Sequence, residues 1–299
     1  MNIFVTGATG WVGSAVVTEL LASQHRVLGL VRSEAGAKRL TELGAEALVG
    51  SLDDLDSLRR GAARADGVIH TAFNHDFSRF AENCEQDRRA IEALGAALKG
   101  SDRPLVVTSG MLSLAKGRPV MESDLSVPPS PSYPRASEAA AQALAEQGVR
   151  AAVVRLPPTV HGHGDHAFVP RLIDIARQTG SSAYVGDGQN RWSAVHRLDA
   201  ARVFRLAVER AAPGATYHAA AEEGVAFRQI AEVIARRLEV PLAALSAEEA
   251  AAHFGWLAPF ASRDLAASSE RTRSILGWEP QQPRLLADID HPAYFSMQV

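Results

Sequence analysis

Residues 1–13 read Met1-Asn2-Ile3-Phe4-Val5-Thr6-Gly7-Ala8-Thr9-Gly10-Trp11-Val12-Gly13, an apolar run that ends in three glycines spaced three apart. Beyond them Val12, Val16, Val17, Leu20 and Leu21 recur at the spacing of one helix face. A buried strand that turns through glycine into a helix is a way for backbone to bind phosphate. Gly7 permits a tight turn, Gly10 clears the approach of a pyrophosphate, and Gly13 lets the helix pack closely on the strand. The helix then points unpaired N–H groups and its positive dipole end at the anion. Three glycines alone are a weak motif, and the strand before and helix after them supply the context it requires. On this reading Thr6, Gly7, Thr9, Gly10, Trp11, Val12 and Gly13 contact a dinucleotide.

Working outward, apolar runs at Val27–Val31, Ala47–Val49, Gly67–His70, Pro104–Thr108 and Val149–Leu156 predict five more strands. Helical patterns fall between them at Glu34–Leu43, Phe80–Lys99 and Ala136–Glu146. Continuous apolar strands alternating with amphipathic helices predict an α/β fold with a doubly wound parallel sheet, the Rossmann arrangement. After Leu156 the pattern changes to a Pro- and Gly-rich loop, a helix at Val169–Gln178, a helix at Val195–Glu209 and a short strand at Thr216–Ala219. From about Glu222 the chain reads as helical. The expected division is a dinucleotide-binding domain over 1–156, with 192–220 returning to it, and a smaller, mainly helical substrate lobe over 157–191 and 221–299.

The 299 residues carry a formal charge of −3, so no basic surplus points to nucleic acid or to an anionic membrane surface. No apolar run reaches 18 residues, and the first strand begins at residue 2, leaving no room for a signal peptide. Cys84 is the only cysteine, which excludes an internal disulfide and fits a reducing cytosol. A soluble, cytoplasmic protein acting on a small molecule is expected.

The second strand ends at Arg32-Ser33. An acidic residue there would bind the ribose hydroxyls of NAD, whereas Arg32 suits the extra phosphate of NADP, with Ser33 adding a hydrogen bond. NADP(H) is therefore expected over NAD(H). Ser51 and Leu52, after the third strand, fall at the adenine edge.

These segments together resemble the short-chain dehydrogenase/reductase superfamily, in its extended or atypical branch, which is epimerase/dehydratase-like. The turn from Thr6 to Gly13 matches the TGxxGxxG pattern. Val68-Ile69-His70-Thr71-Ala72 resembles the strand beneath the cofactor ribose, so the resemblance implies that His70, Thr71 and Ala72 contact the dinucleotide. Arg155-Leu156-Pro157-Pro158-Thr159-Val160-His161-Gly162 resembles the segment lining the nicotinamide end, which implies Pro157 as a contact. Val195–Ala201 and Leu276-Gly277-Trp278-Glu279-Pro280 resemble two further signatures of the same branch. Members often dimerise through paired helices, and a homodimer is the corresponding expectation.

The superfamily's catalytic set is a Ser or Thr after the fifth strand, then Tyr-x-x-x-Lys. This sequence departs from it twice. Gly110 stands where the hydroxyl is expected, leaving Ser109 or Ser113 to serve, and Ser137 stands four residues after Tyr133 in place of lysine. A phenol titrates near 10, and without an adjacent cation little phenolate forms at neutral pH, so Tyr133 suits proton donation in reduction. His161, His163 and His166 cluster with Asp165 in the nicotinamide loop, and His161 is the candidate replacement acid. Glycines separate these groups and no cysteine completes a ligand set, so no metal is expected. Phe168, Trp192, Trp256 and Phe260 are candidates for an apolar pocket wall. The function implied is an NADP(H)-dependent oxidoreductase reducing a carbonyl of a small organic substrate. The alternatives are a sugar-nucleotide epimerase or dehydratase and a non-catalytic NADP(H)-sensing protein.

Overall fold

Ile3, Phe4 and Val5 are all wholly buried, so the first strand has apolar neighbours on both faces and must lie inside the sheet. The computed structural model describes residues 1–114, 117–210 and 212–296, with the backbone alone for Ser113. Its strands are β1 (Asn2–Thr6), β2 (Arg26–Val31), β3 (Glu46–Val49), β4 (Gly67–His70), β5 (Pro104–Gly110), β6 (Arg150–Leu156), β7 (Thr159–His161), β8 (Ser182–Val185), β9 (Arg191–His196), β10 (Thr216–His218), β11 (Glu222–Ala226) and β12 (Leu242–Leu245). Seven form the main parallel sheet in the order β10-β6-β5-β4-β1-β2-β3. The order reverses between β1 and β4, which opens a crevice at the carboxyl ends of those strands.

Helices α1 (Trp11–Ala22), α2 (Glu34–Glu42), α3 (Leu55–Ala63), α4 (Phe80–Leu98), α5 (Ser137–Glu146), α6 (Phe168–Thr179), α7 (Arg197–Arg210) and α8 (Phe227–Leu238) cover these layers. One face of the main sheet is closed by Val16, Leu20, Phe204 and Trp278, the other by Leu58, Ile91, Leu94 and Leu144. A third core, built on Trp192, Phe227, Ile230, Leu257 and Leu285, belongs to the smaller lobe. That lobe holds a three-stranded sheet, β11-β9-β7, and the parallel pair β12-β8 among its helices. Among the described residues no helix is long and apolar enough to cross a membrane.

Two expectations are corrected. The helix expected from Val195 starts at Arg197, because Trp192, Ser193, Ala194 and Val195 are buried in β9 between β7 and β11. The return to the main layer therefore begins at Arg197. The stretch from Glu222, expected to be helical, opens with β11, which pairs antiparallel with β9, and later contains β12. Tertiary pairing decides both short strands, which carry little alternation of their own.

The closest approach in the sheet layer lies at the first turn. A Cβ on Gly13 would stand 2.0 Å from the Gly7 carbonyl oxygen and 2.7 Å from Thr71 Oγ1, whereas one on Gly110 would meet nothing within 4 Å. Gly13→Ala should lower stability by about 3 kcal/mol, the scale of severe overpacking. Gly110→Ala should stay within about 0.5 kcal/mol of the parent. Chemical denaturation of the two variants checks the contrast.

Candidate active site

The turn after β1 has the form its glycines predict. Gly7 takes φ +67°, and the Gly10 N–H closes on the Gly7 carbonyl at 2.8 Å. Gly10 is the N-cap of α1, no side chain caps that helix, and no acid lies in its first turn. The N–H groups of the first turn are left without an intrahelical partner, which fits a pyrophosphate.

Behind the turn Thr6 and His70 make a buried link. Thr6 Oγ1 lies 2.8 Å from His70 Nδ1, and His70 Nε2 lies 3.0 Å from Asp87 Oδ1 on α4. The Ser137 hydroxyl donates to the other Asp87 oxygen at 2.6 Å. A carboxylate only accepts, so the network assigns the His70 proton to Nε2 and lets Nδ1 accept from Thr6. Thr71 Oγ1 donates to the Thr6 carbonyl (2.8 Å), and the Ala72 N–H points at Thr6 Oγ1 (3.4 Å).

Arg32 is exposed at the end of β2 and makes no ion pair or hydrogen bond with the described residues. Ser33 caps α2, accepting the Gly36 N–H at 3.2 Å, and keeps its own hydroxyl proton to donate. Ser51 likewise accepts the N–H groups of Asp53 and Asp54, both at 3.3 Å. Leu52 packs on the sheet beside them, and Pro157 is buried after β6.

Trp11 joins the turn to the smaller lobe. Its Nε1 donates to the Val160 carbonyl at 2.8 Å, Arg197 lies 4.3 Å over its ring, and His166 meets it edge-on at 5.6 Å. The substrate-side loop is thereby drawn over the start of α1.

The candidate catalytic residues lie in different settings. Ser109 is buried near the end of β5, paired with Arg155 of β6 through its backbone, and its hydroxyl has no hydrogen-bond partner among the described residues. The side chain of Ser113 lies outside the described part. Tyr133 is half-buried in a turn closed by reciprocal backbone bonds with Ser130 (2.8 and 3.0 Å), and its hydroxyl has no protein partner among the described residues. His161 is only 1 % exposed, and its Nδ1 bonds Asp288 Oδ2 at 2.8 Å. The Tyr294 hydroxyl donates to the same Asp288 oxygen at 2.6 Å and accepts the Gly162 N–H at 2.8 Å. Nothing among the described residues meets His161 Nε2. Burial acts to raise the Asp288 carboxyl, but the hydrogen bonds from His161 and Tyr294 outweigh it and hold it below its usual range. His163 is exposed and lies against His291, with ring centres 4.3 Å apart and the planes tilted by 37°.

The aromatic wall is present as a cluster. Phe168 lies 5.6 Å from Trp192, 6.0 Å from Trp256 and 5.4 Å from Phe260, between ring centres. Trp192 is fully buried, so its part is core, while Trp256 is exposed.

Sequence reasoning passed over Asp87, Asp288 and Tyr294. Asp87 falls on the buried stripe of α4 with Cys84, Ile91 and Leu94, and a lone acid on an apolar stripe is the available signal. Asp288 sits similarly between Leu285 and Ile289.

A doubly wound parallel sheet with an uncapped glycine turn at its switch point defines a dinucleotide-binding fold of the Rossmann class. The chain belongs to the NAD dependent epimerase/dehydratase family, whose family model matches residues 3–220. It is 49% identical over 296 residues to an uncharacterized protein of Schizosaccharomyces pombe, covering 99% of this chain and 100% of that one. It is 32% identical over 271 residues to the 4-hydroxy-2-methyl-3-oxo-4-farnesyl-3,4-dihydroquinoline-1-oxide ketoreductase of Stigmatella aurantiaca, covering 85% and 80% of the two chains. In fold it is similar to dTDP-glucose 4,6-dehydratase from Streptomyces venezuelae, solved with NAD bound. That match has TM-score 0.76 and 19% identity, over 99% of this chain and 97% of that one.

Asp165 gives this site a pH signature. Burial pushes its carboxyl up to about 6, against the opposing Ala167 N–H and the charges of His166 and His161. The folded state thus holds this proton more tightly than the unfolded chain does. The stability it contributes is complete below about pH 4 and lost as pH rises through about 6, an amount of about 3 kcal/mol. Asp165→Asn should match the parent near pH 4 and exceed it in melting temperature at pH 8, which thermal unfolding at the two pH values checks.

Proposed function

We propose that this protein is an NADP(H)-dependent oxidoreductase that reduces a carbonyl group of a small organic substrate. The observation that carries the reading is the uncapped start of α1 behind Gly7, Gly10 and Gly13, with the unpaired Arg32 at the end of the neighbouring strand. The backbone of Gly10, Trp11 and Val12 would hold the pyrophosphate, Arg32 and Ser33 the additional phosphate, and Thr71 and Ala72 the ribose side. Bound there, a reduced nicotinamide supplies a hydride to the carbonyl carbon.

Tyr133 is the proposed proton donor to the carbonyl oxygen. Its hydroxyl has no protein partner among the described residues and so keeps its proton available to donate. Ser109 would donate a hydrogen bond to the same oxygen. His161 acts one step removed as a positioning residue, since its ring is buried and Asp288 and Tyr294 tie it to Gly162. The similarity to a ketoreductase supports the same direction. Epimerases and dehydratases share the family, but their chemistry begins by oxidising the substrate, which the missing cation disfavours. The single thiol, Cys84, buried and unpaired, supports a cytoplasmic setting.

Fluorescence titration tests the cofactor assignment. Arg32→Ala should raise the NADPH Kd by about tenfold, the loss of one charge-assisted phosphate contact, and leave NADH binding unchanged. Equal affinity for NADH in the parent overturns the phosphate assignment. Turnover of NADPH across a panel of ketones and aldehydes tests the chemistry. Tyr133→Phe should lower kcat by a factor on the order of 10² to 10⁴ without moving the NADPH Kd. A protein that binds NADPH, reduces nothing in the panel and changes partner binding with the nucleotide would be a sensor instead.

A further inference from the structure

Arg135, two residues before α5, is a charge that the proposed reduction leaves unused. Its Nε donates to the Ser137 hydroxyl at 3.2 Å, and that hydroxyl donates to the buried Asp87. Its guanidinium lies 4.3 Å over the ring of Phe73, the residue directly after Thr71-Ala72 at the mouth of β4. Asp87 already receives His70 and Ser137, and among the described residues no acid lies within 4.0 Å of Arg135. Neither Nη has a protein partner among them. One edge and one face of the guanidinium are therefore fixed, and its two-pronged end is open.

The surroundings repeat that bias. His75 packs 5.3 Å from Phe73, with Phe77 a further 6.0 Å on and Phe80 6.3 Å from Phe73. His75 is exposed, and Phe77 is 64% exposed. Desolvation, then the charge of Arg135, and at longer range that of His166, lower the affinity of His75 for a proton. Arg135 and His75 therefore meet on the two sides of the Phe73 ring, one over its face and one at its edge. A pre-positioned guanidinium fork with free Nη groups matches a carboxylate in bidentate geometry.

We propose that Arg135 is the anion-binding residue of the substrate site and that the substrate is a carbonyl compound carrying a carboxylate. Its apolar remainder lies along Phe73, Phe77 and Phe80. Only the carbonyl rests on the reductase reading; the carboxylate is testable without turnover. A phosphate oxygen of the dinucleotide has the same anionic chemistry, and the experiment separates the two sources.

The measurement is calorimetric titration of the NADPH-saturated protein with hexanoate and with hexanamide. The parent should bind hexanoate at least about tenfold more tightly, as expected for a charge-assisted bidentate contact. Arg135→Gln should abolish that preference while its NADPH Kd and melting temperature stay at parental values. Arg79→Gln, which breaks an exposed ion pair with Glu82, should keep the preference. A parent without preference, or an Arg135→Gln variant that retains it, overturns the proposal. So does a loss that appears in NADPH affinity instead, which would give the fork to the cofactor. A protein that discriminates hexanoate through Arg135 but reduces no carbonyl would sink the reductase reading and leave this subsite standing.

Discussion

The crevice is organised around one buried carboxylate. Asp87 is 2% exposed on the inner face of α4, where an unpaired charge would cost several kcal/mol, so donors must be brought to it. They come from two directions: His70 at the end of β4 and Ser137 at the start of α5. Each donor is anchored in turn, His70 on Thr6 at the glycine turn and Ser137 on Arg135 at the crevice edge. The hydrogen bonds agree in direction, since every group between Thr6 and Arg135 either passes a proton toward Asp87 or accepts one in place of it. Such a chain ties the end of β1, the end of β4 and the start of α5 to one another.

A second set of polar locks braces this frame and ties it to the C-terminal segment. Arg155, 1% exposed on β6, grips Glu138 through both carboxylate oxygens, with its closest contact at 2.7 Å, and reaches the Asp124 carbonyl at 2.8 Å. Beside it His218 bonds the Ser268 carbonyl at 2.7 Å. Glu122 accepts both the N–H and the hydroxyl of Thr272, each at 2.8 Å. Because Glu138 follows Ser137 directly, the first turn of α5 is tied to α4 through one residue and to β6 through the next. On the other side of the crevice, His161, Asp288 and Tyr294 bind the C-terminal segment to the loop that reaches Trp11. Trp11 joins that loop to the glycine turn through the Val160 carbonyl, and His218 joins β10 to Ser268 and Thr272 of the C-terminal segment.

What the sequence disclosed follows from the range of each force. The glycine turn, the apolar strands and Ser137 in the lysine position are local patterns, and each was legible because backbone sterics or residue spacing decides it. Val195 and His196 misled because a short apolar strand followed directly by a helix carries no break in periodicity, and only the pairing with β7 and β11 separates them. Asp87 and Ser137 are 50 residues apart, and Asp288 and His161 are 127 apart. No periodicity links such partners. The trace they leave is a charged residue on an otherwise apolar helix face, visible at Asp87 and easily read as an exposed position.

Ser137 and Arg135 are best understood together. A lysine at 137 would place a second cation in a wholly buried position beside a carboxylate that His70 already engages. Arg135 would then lose the lone pair that holds its Nε. The neutral hydroxyl satisfies Asp87 with its proton and orients Arg135 with its oxygen, so one small side chain serves both. The positive charge stands not at the buried start of the helix but two residues earlier, against the ring of Phe73. The hydrogen bond to Asp87 and the orientation of Arg135 are thus properties of the pair rather than of either residue alone.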